Sequence, residues 1–433
     1  MILIKKTIES LLLRIWYGQS QLAVLFAALL SPLSSLYHIV AENNQRKAIA
    51  KREDNLPIKI IVIGNITAGG TGKTPLLIAL AQQLAAQGWK PAVISRGHGG
   101  LYLKGNLKGN QRGNQKGNQK RSLNENNKDK AMPTWVKPES DPFWVGDEPV
   151  HIAQALQTMP VIVCPRRIDA VNMLVQQTDC DIILSDDGLQ HYALARDIEL
   201  VLVDSARGFG NQRLLPAGPL REPLERLNSV DMVVFNGDPS SELQNLVAEH
   251  TKNNQQAQYS MQMAITGLRS LSDSSIQSAD LNYLNRYQVI HLVAGIGNPE
   301  RFFNAVRLLL SKNDNAPRIV EHAFPDHYSY KESDLVFKKS DLVFKENDLV
   351  SKESDLVFKK SDLVFAAADN TLSGHSENSS ESLFTKSAAI VMTAKDAVKC
   401  GGFKQNSLPL YAIDVNAKID SQMTAAICAQ LAQ

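Results

Sequence analysis

A glycine-rich segment near residue 70 carries the residue types that bind a triphosphate. The chain reads GNITAGGTGKT over residues 64–74, after an apolar run at 58–63 and before a stretch of helical periodicity. This order of strand, glycine loop and helix is typical of a P-loop, in which backbone N–H groups converge on phosphate oxygens. The predicted phosphate-binding residues are Thr67, Ala68, Gly69, Gly70, Thr71, Gly72, Lys73 and Thr74.

Two of these residues have side chains suited to phosphoryl transfer. We expect Lys73 to neutralise charge on the β- and γ-phosphates and the Thr74 hydroxyl to bind Mg²⁺. An ordinary P-loop has one further glycine, at the position that Thr67 occupies here. We predict that the chain binds ATP with Mg²⁺.

A carboxylate at the end of a neighbouring strand would complete such a magnesium site. The apolar run at 181–185 is followed by Asp186, Asp187 and Gly188, which makes the two aspartates candidates for this role. Gln190 and His191 follow closely enough to face the same site. An alternative is that one aspartate only caps a helix.

Several arginines follow predicted strand ends, where open α/β sheets build their ligand sites. Their guanidinium groups suit phosphate oxygens, so their recurrence indicates an anionic substrate beside the nucleotide. These predicted substrate-binding residues are Arg96, Arg166, Arg167 and Arg221. Asp147, at a predicted helix start, and His327, in a predicted turn, are a carboxylate and a histidine that together could deprotonate a hydroxyl, although helix capping is the simpler role for Asp147.

Short apolar runs that alternate with helical periods predict an α/β fold with a mainly parallel sheet. A P-loop NTPase-type core is predicted at 51–240 and a second, smaller α/β domain at 241–433, after helices at 1–50. Two repeats interrupt this scheme. A basic KGNQ-like repeat at about 104–130 is predicted to be a disordered surface loop, and a seven-residue DLVFKKS-like repeat at about 333–365 is interpreted as the expansion of one helix.

The amino-terminal segment combines apolar, aromatic and basic residues. Its unbroken apolar run at 22–30 stops before Ser31 and Pro32 and is shorter than the about 20 residues that cross a bilayer. We therefore expect a pair of helices that lie in the membrane interface. A core-facing helix of a soluble protein and a cleaved signal peptide are the alternatives.

Composition excludes several broad classes of protein. The 433 residues have a net charge of +2, which argues against a dedicated nucleic-acid binder. The four cysteines are far apart and form no C-x-x-C pair, so neither a zinc site nor a disulfide framework is predicted. No obligatory protein partner is indicated.

The motifs taken together resemble the tetraacyldisaccharide 4'-kinase family, the lipid A 4'-kinases of Gram-negative bacteria. The matching segments are GNITAGGTGKTP, ISRGHGG, GDEP, DDGLQH, GNQRLLPAGPLRE, FPDH and TAKDAVK, with IWYG and SSLYH near the amino terminus. Two departures stand out: His98 replaces a usual tyrosine, and Ala394 replaces a usual glutamate, which leaves the role of the TAKDAVK segment open.

The resemblance implies a lipid kinase at the cytoplasmic face of the bacterial inner membrane, held peripherally by its amino-terminal helix. Its substrate would be tetraacyldisaccharide 1-phosphate, a lipid A precursor, which receives the γ-phosphate of ATP on its 4'-hydroxyl. By motif position, Asp147 and His327 would act on that hydroxyl, with Lys73 as the third catalytic residue. Asp187, Gln190 and Glu222 would join Thr74 at the metal.

A membrane-associated, dimerising P-loop ATPase switch is the main alternative function. Such switches place a second lysine just before the two glycines of the loop, where this chain has Ala68. A non-enzymatic membrane adaptor with a degenerate nucleotide site is a third reading, and the intact Lys73 and Thr74 argue against it.

Overall fold

The structure is a computed structural model, and it describes most of the chain outside the two repeats. The described residues are 11–18, 20–98, 100, 132–251, 257–273, 275–278, 280–311, 316–337, 388–401, 403 and 408–432. The basic repeat predicted at about 104–130 and all but the start of the seven-residue repeat at 333–365 lie outside these residues.

One mainly parallel sheet runs through the described residues. Its strands are β1 (Lys59–Gly64), β2 (Pro91–Ser95), β3 (Thr134–Trp135), β4 (Val161–Val163), β5 (Ile182–Ser185), β6 (Ile198–Asp204), β7 (Met232–Asn236), β8 (Ala257–Ser270), β9 (Gln277–Ser278), β10 (Val289–Ala294), β11 (Arg318–Ala323), β12 (Ala388–Thr393) and β13 (Leu410–Ile419). The spatial order is β11-β10-β12-β13-β8-β7-β6-β1-β5-β2-β4-β3, and β9 pairs with β8. The predicted α/β fold with a mainly parallel sheet is confirmed.

Helices cover the sheet and connect its strands. They are α1 (residues 11–17), α2 (Gln21–Ile49), α3 (Lys73–Ala86), α4 (Pro142–Val145), α5 (Asp147–Leu156), α6 (Arg167–Gln177), α7 (Ser241–Glu249), α8 (Pro299–Leu310), α9 (Ala394–Ala397) and α10 (Ser421–Leu431). Short 3₁₀ helices span Leu224–Ser229, Leu281–Arg286, Glu332–Leu335 and Val398–Cys400. Parallel strands need such crossovers, since a tight turn cannot return the chain to the same sheet edge.

The sheet places the ends of five strands at one edge. β2, β5, β1, β6 and β7 are neighbours and run parallel, so the residues after their carboxyl ends meet there. These strands are almost fully buried because the sheet is covered by helices. Continuous apolar runs in the sequence are typical of such doubly covered strands, which explains why they could be predicted.

A long antiparallel pair connects the two parallel parts of the sheet. β8 pairs in parallel with β7 at its start and then antiparallel with β13 over much of its length, and β13 pairs in parallel with β12. After β13, helix α10 returns to the first part, where Met423 and Ile427 join the core beside α3. The division into two domains near residue 240 stays a prediction.

The amino-terminal helix differs from the expectation. We predicted that the apolar run ends at Ser31 and Pro32, but α2 continues through Pro32 to Ile49. A proline inside a helix removes a backbone hydrogen bond, and here tertiary contacts outweigh that cost. Ser34 donates to the carbonyl of Leu214 at 2.8 Å, and the Tyr37 hydroxyl donates to the carbonyl of Arg221 at 3.0 Å. By length and composition, α2 is long and apolar enough to cross a membrane.

Candidate active site

Residues 65–72 form the loop between β1 and α3, and two of its glycines have backbone angles that other residues avoid. Gly69 and Gly72 have φ values of 111° and 96°. At Gly72 an added Cβ would also lie 2.6 Å from the amide nitrogen of Asn236. Glycine is required there for both reasons, so that α3 can begin at Lys73 with its first N–H groups directed into the loop.

Lys73 is held at the mouth of this loop. Its ammonium lies 3.0 Å from Oδ1 of Asn65 and 3.3 Å from Oδ1 of Asp187. The amide of Asn65 in turn donates to the carbonyl of Thr67 at 2.7 Å, which ties the lysine to the loop backbone. The charge of Lys73 therefore has a fixed position beside the phosphate-binding N–H groups.

The segment around residue 220 forms a wall of the loop. The Ala68 N–H donates to the carbonyl of Pro219, and the Arg221 N–H donates to the carbonyl of Ile66, both at 2.7 Å. The guanidinium of Arg221 lies 3.4 Å from Oδ1 of Asp187. This pairing places a second cation on the same carboxylate that Lys73 contacts.

The two aspartates after β5 have opposite electrostatic environments. Burial, the charge of Glu148 and the charge of Asp187 raise the pKa of Asp186 to about 7. Its Oδ1 is buried and has no hydrogen-bond partner among the residues that the structure describes. Burial also acts on Asp187, but the charges of Lys73 and Arg221 outweigh it and lower its pKa. Asp187 therefore ionises at lower pH than Asp186.

The other predicted metal residues are near this edge in different settings. Gln190 donates from its amide nitrogen to the carbonyl of Asn65 at 3.0 Å. Glu222 is buried, and its Oε2 accepts from Tyr192 at 2.6 Å and from Arg226 at 3.0 Å. Within the described part of the chain, its Oε1 has no hydrogen-bond partner.

These donors fit Mg²⁺ bound together with phosphates. Within the described ranges, no group of three or more His, Cys, Asp or Glu residues is arranged to hold a metal ion. Mg²⁺ commonly uses only one or two carboxylates and takes its remaining ligands from phosphates and water. The ionised Asp187 beside the loop and the unpartnered oxygen of Glu222 agree with such a site.

Asp147 and His327 meet although they are far apart in sequence. Asp147 opens helix α5 after Gly146, and His327 lies in the turn that follows β11. Nδ1 of His327 is 3.0 Å from both carboxylate oxygens of Asp147. This contact brings together two residues that spacing alone could not connect.

The pair has a strongly perturbed ionisation. Burial would raise the pKa of Asp147, but the hydrogen bond from His327 and the charges of Lys395 and Lys399 hold it far below its usual range. The same hydrogen bond raises the pKa of His327 against the effects of burial and of the Lys395 charge. Asp147 is thus a carboxylate at all physiological pH values, and His327 is the member that can gain a proton.

The TAKDAVK segment surrounds this pair with charge. The Lys395 ammonium lies 2.9 Å from Oε1 of Glu148, and Lys399 lies 3.0 Å from Oδ2 of Asp147. Burial would raise the pKa of Glu148, but the charges of Lys395 and His327 and the hydrogen bond from Lys395 together lower it. The substitution at Ala394 leaves these contacts in place, since the lysines make them.

His98, which replaces a tyrosine usual in the similar sequences, lies beside His327. Its ring centroid is 5.5 Å from that of His327, in an edge-on arrangement. The ISRGHGG segment therefore reaches the Asp147–His327 pair.

A glycine loop after β10 connects the P-loop to this pair. The carbonyl of Gly295 accepts from the His327 N–H at 3.2 Å. A Cβ placed on Gly297 would lie 3.0 Å from the backbone nitrogen of Gly70. The P-loop and the Asp147–His327 pair therefore both adjoin this glycine loop.

The predicted substrate arginines have different surroundings. Arg96 and Arg166 are exposed at strand ends, whereas Arg221 is partly exposed beside Asp187. Arg167 is 2% exposed and donates to the carbonyls of Cys164 and Asp186. Because this guanidinium supports the Asp186 backbone from inside the protein, we assign it a structural role in place of the predicted contact with substrate.

A glycine loop between a parallel strand and a helix, a lysine at the helix start and carboxylates after the adjacent strand define a P-loop nucleotide-binding protein. Comparison with known proteins specifies it further. A family model described as tetraacyldisaccharide-1-P 4'-kinase matches residues 26–119 and 125–371. The chain belongs to this family, which confirms the predicted resemblance and, with it, the predicted kinase class of enzyme.

Individual relatives agree with this assignment. The chain is 40% identical over 331 residues to the tetraacyldisaccharide 4'-kinase of Nitrosococcus oceani, covering 76% of this chain and 81% of the relative. It is 39% identical over 331 residues to that of Hahella chejuensis, covering 75% and 82%. A crystal structure of LpxK from Aquifex aeolicus in complex with ATP has the same fold, with a TM-score of 0.58 at 20% identity over 93% of this chain and 99% of that one.

Sequence reasoning did not assign roles to several residues near the pair. Glu148, Lys395 and Lys399 form ion pairs there, and no spacing rule connects residues so far apart. Their presence in the GDEP and TAKDAVK segments, which resemble family motifs, was the only feature of the sequence that could have indicated a role.

Proposed function

We propose that this chain transfers the γ-phosphoryl group of ATP to the 4'-hydroxyl of tetraacyldisaccharide 1-phosphate at the cytoplasmic face of the bacterial inner membrane. Family membership supports the reaction, and the relatives named above carry the same substrate in their names. We further propose that residues 67–74 bind the nucleotide and that Asp147 and His327 act on the acceptor hydroxyl.

The observation that carries the proposal is the closeness of the nucleotide loop to the Asp147–His327 pair. Gly70 abuts Gly297, and the same glycine loop bonds to the backbone of His327. The charge of Glu148, next to Asp147, also contributes to the raised pKa of Asp186 beside the loop. A γ-phosphate in the loop and a hydroxyl at the pair would therefore lie within reach of each other, as in-line transfer requires.

The pKa values of Asp147 and His327 indicate where the proton of the acceptor hydroxyl goes during transfer. The acceptor oxygen forms a bond to the γ-phosphorus while the bond from that phosphorus to the β,γ-bridging oxygen breaks, and ADP leaves with that electron pair. The hydroxyl proton passes to the Asp147–His327 pair. His327 is the member that retains it, since its pKa is raised while that of Asp147 is lowered.

Mg²⁺ would be held by Thr74 and Asp187, with Gln190 and Glu222 around it. When bound, it supplies charge neutralisation on the phosphate oxygens. Lys73 supplies a fixed positive charge at the same place. Arg96, Arg166 and Arg221 are the cations that we assign to the phosphate of the lipid substrate, through charge-assisted hydrogen bonds.

Peripheral membrane binding is supported by the way α2 is attached. Its exposed side carries large apolar side chains, including Leu22, Phe26, Leu29 and Leu36. Ser34 and Tyr37, in the middle of the helix, bond to the protein core. The stretches 21–33 and 38–49 on either side are each shorter than the about 20 residues of a spanning helix, so α2 would lie in the interface.

The direct test is an assay of the purified full chain with ATP, Mg²⁺ and the lipid disaccharide 1-phosphate in mixed micelles. Mass spectrometry should find one added phosphate on the distal sugar, with one ADP formed per product. ATP hydrolysis that does not depend on the lipid, with no phosphorylated product, would favour the ATPase switch instead.

A further inference from the structure

Lys399 is the one lysine whose ammonium contacts the Asp147 carboxylate directly among the described residues. It lies in the 3₁₀ helix Val398–Cys400, and its Nζ is 3.0 Å from Oδ2 of Asp147. The side chains of Lys399 and Asp147 are only 11% and 6% exposed. The ion pair is therefore shielded from solvent, where charge interactions are strong.

The Lys399 ammonium also contacts groups other than Asp147. It lies 3.4 Å from Oδ1 of Asp396 and 5.8 Å from the centre of the Tyr330 ring. Asp396 accepts from the Thr393 hydroxyl at 2.8 Å and from the Gly295 N–H at 2.9 Å. Lys399 thus belongs to a rigid network that includes the glycine loop between the P-loop and His327.

The contacts of Asp147 leave it little freedom. Oδ1 accepts from the N–H of Glu148 and lies 3.0 Å from Nδ1 of His327, while Oδ2 faces Lys399 and the same His327 nitrogen. A carboxylate held on both oxygens fixes the ring orientation of its histidine partner, as the aspartate of a Ser-His-Asp triad does. Nε2 of His327, which lies 3.9 Å from Oδ2 of Asp326, is the ring nitrogen that Asp147 does not contact.

We propose that Lys399 is a positioning residue for the kinase reaction, whose ammonium holds the Asp147 carboxylate in the orientation that fixes His327. The proposal rests on the function proposed above and deepens it. It also gives the TAKDAVK segment a role, namely to support the acceptor side of the site from the second half of the chain.

A stability role alone would be a weak explanation for this lysine. Taking two charges out of water carries a large desolvation cost, so buried ion pairs are poor stabilisers compared with apolar groups. The charge has a further effect on the pair, because Lys399 favours the ionised form of Asp147. Without it, the pair as a unit should take up a proton at higher pH.

Other titratable and charged groups around Asp147 also raise or lower the pKa of the Asp147–His327 pair, and a test must leave them unchanged. They come from α5 itself, from the turn at His327 and from the TAKDAVK segment: Glu148, His151, Asp326, His327, Lys395 and Asp396.

The test compares K399Q and K399R with wild type in full pH profiles of kcat, with KM for ATP measured alongside. K399Q should lose about tenfold or more in kcat, keep KM for ATP within about twofold, and show its acid limb at higher pH. K399R keeps the charge and should restore the wild-type profile. K90Q, which removes a lysine from an exposed pair with Asp179, is the matched control and should behave as wild type.

The outcomes separate the possible failures. A wild-type chain that does not phosphorylate the lipid contradicts the proposed function. Normal wild-type activity with an unchanged K399Q pH profile, or a K399R variant as impaired as K399Q, overturns the positioning role and leaves only a structural one. Thermal unfolding of each variant checks folding. If K399Q does not fold, K399R decides alone: its profile should match wild type, and a displaced acid limb would overturn the proposal.

Discussion

The nucleotide side of the site is built from consecutive residues, whereas the acceptor side is assembled from distant ones. Residues 64–74 form the proposed phosphate-binding loop largely through their backbone. Around Asp147, side chains from α5, from the turn at His327 and from the segment at 395–399 converge. The first arrangement depends on local geometry and the second on the packing of the whole sheet.

The two sides also differ in how their charges are placed. At the loop, Lys73 and Arg221 both contact the partly exposed Asp187. A bound phosphate would compete with this carboxylate for the charge of Lys73. At the acceptor side, Asp147 and Lys399 are paired in a shielded network that needs no ligand to complete it. We infer that the nucleotide side changes on binding, while the acceptor side is organised in advance.

Removing the loop cation should have the largest effect. For K73A we expect a loss of at least about 10³-fold in turnover, together with weaker ATP binding, because a fixed charge beside the transferred phosphate is lost. K59A is the control: Lys59 lies on the same strand, at the opposite edge of the sheet, beside Asp197. Equal losses in the two variants would break the assignment of the loop.

Removing the acceptor-side carboxylate should cost turnover without affecting the nucleotide. For D147A we expect kcat to fall by about 10²–10³, the range for a group that assists proton transfer. D179A removes an aspartate from an exposed ion pair and should retain wild-type kcat. Steady-state kinetics with the lipid acceptor measure both.

The pH profile should report His327. Its pKa is raised by Asp147, and the pair can accept a proton only while His327 is neutral. Turnover should therefore fall as pH decreases through a value above the ordinary 6.5 of histidine. In D147N the supporting charge is lost, so the residual activity should show its acid limb at lower pH. If the acid limb of D147N lies at the same pH as that of wild type, His327 is not the group that titrates.

A smaller effect is expected where Lys395 pairs with Glu148 between the two halves. The ammonium is 20% and the carboxylate 26% exposed, so solvent screens the pair in part. We expect E148Q to reduce kcat only several-fold and to leave ATP affinity near wild type. A loss as large as that of D147A would show that Glu148 contacts the reacting groups.

The smallest effect should come from the attachment of α2. Y37F removes one hydrogen bond to the carbonyl of Arg221, worth about 1 kcal/mol in unfolding free energy. Activity in detergent should remain within about twofold of wild type, because the P-loop wall keeps its own backbone contacts. Chemical denaturation and the micelle assay test the two statements separately.

The same contrast explains which parts of the fold could be predicted from the sequence. The apolar runs at 58–63 and 181–185 are strands β1 and β5 at nearly the predicted positions, because buried parallel strands are continuously apolar. β8 was missed: its polar and apolar residues are mixed over Ala257–Ser270, and its place between β7 and β13 depends on long-range pairing.

The site follows the same rule. The P-loop is a local backbone motif, so spacing predicted it from residues 64–74 alone. From residue types alone the pairing of Asp147 with His327 was a guess, which the family resemblance then supported, and the two lysines beside the pair received no role. Arg167 was predicted to bind substrate since it follows a strand end, but its side chain turns into the core to support Asp186. Sequence position cannot tell which way such a side chain points.

We infer that the two separately built sides form one site, with nucleotide binding on one and proton transfer on the other. The most direct measurement is made on D147A: titration calorimetry with ATP and Mg²⁺, followed by single-turnover transfer from that bound ATP to the lipid. We predict a dissociation constant within about twofold of wild type and a transfer rate reduced by about 10² or more. Weakened ATP binding with an unchanged transfer rate would contradict the claim.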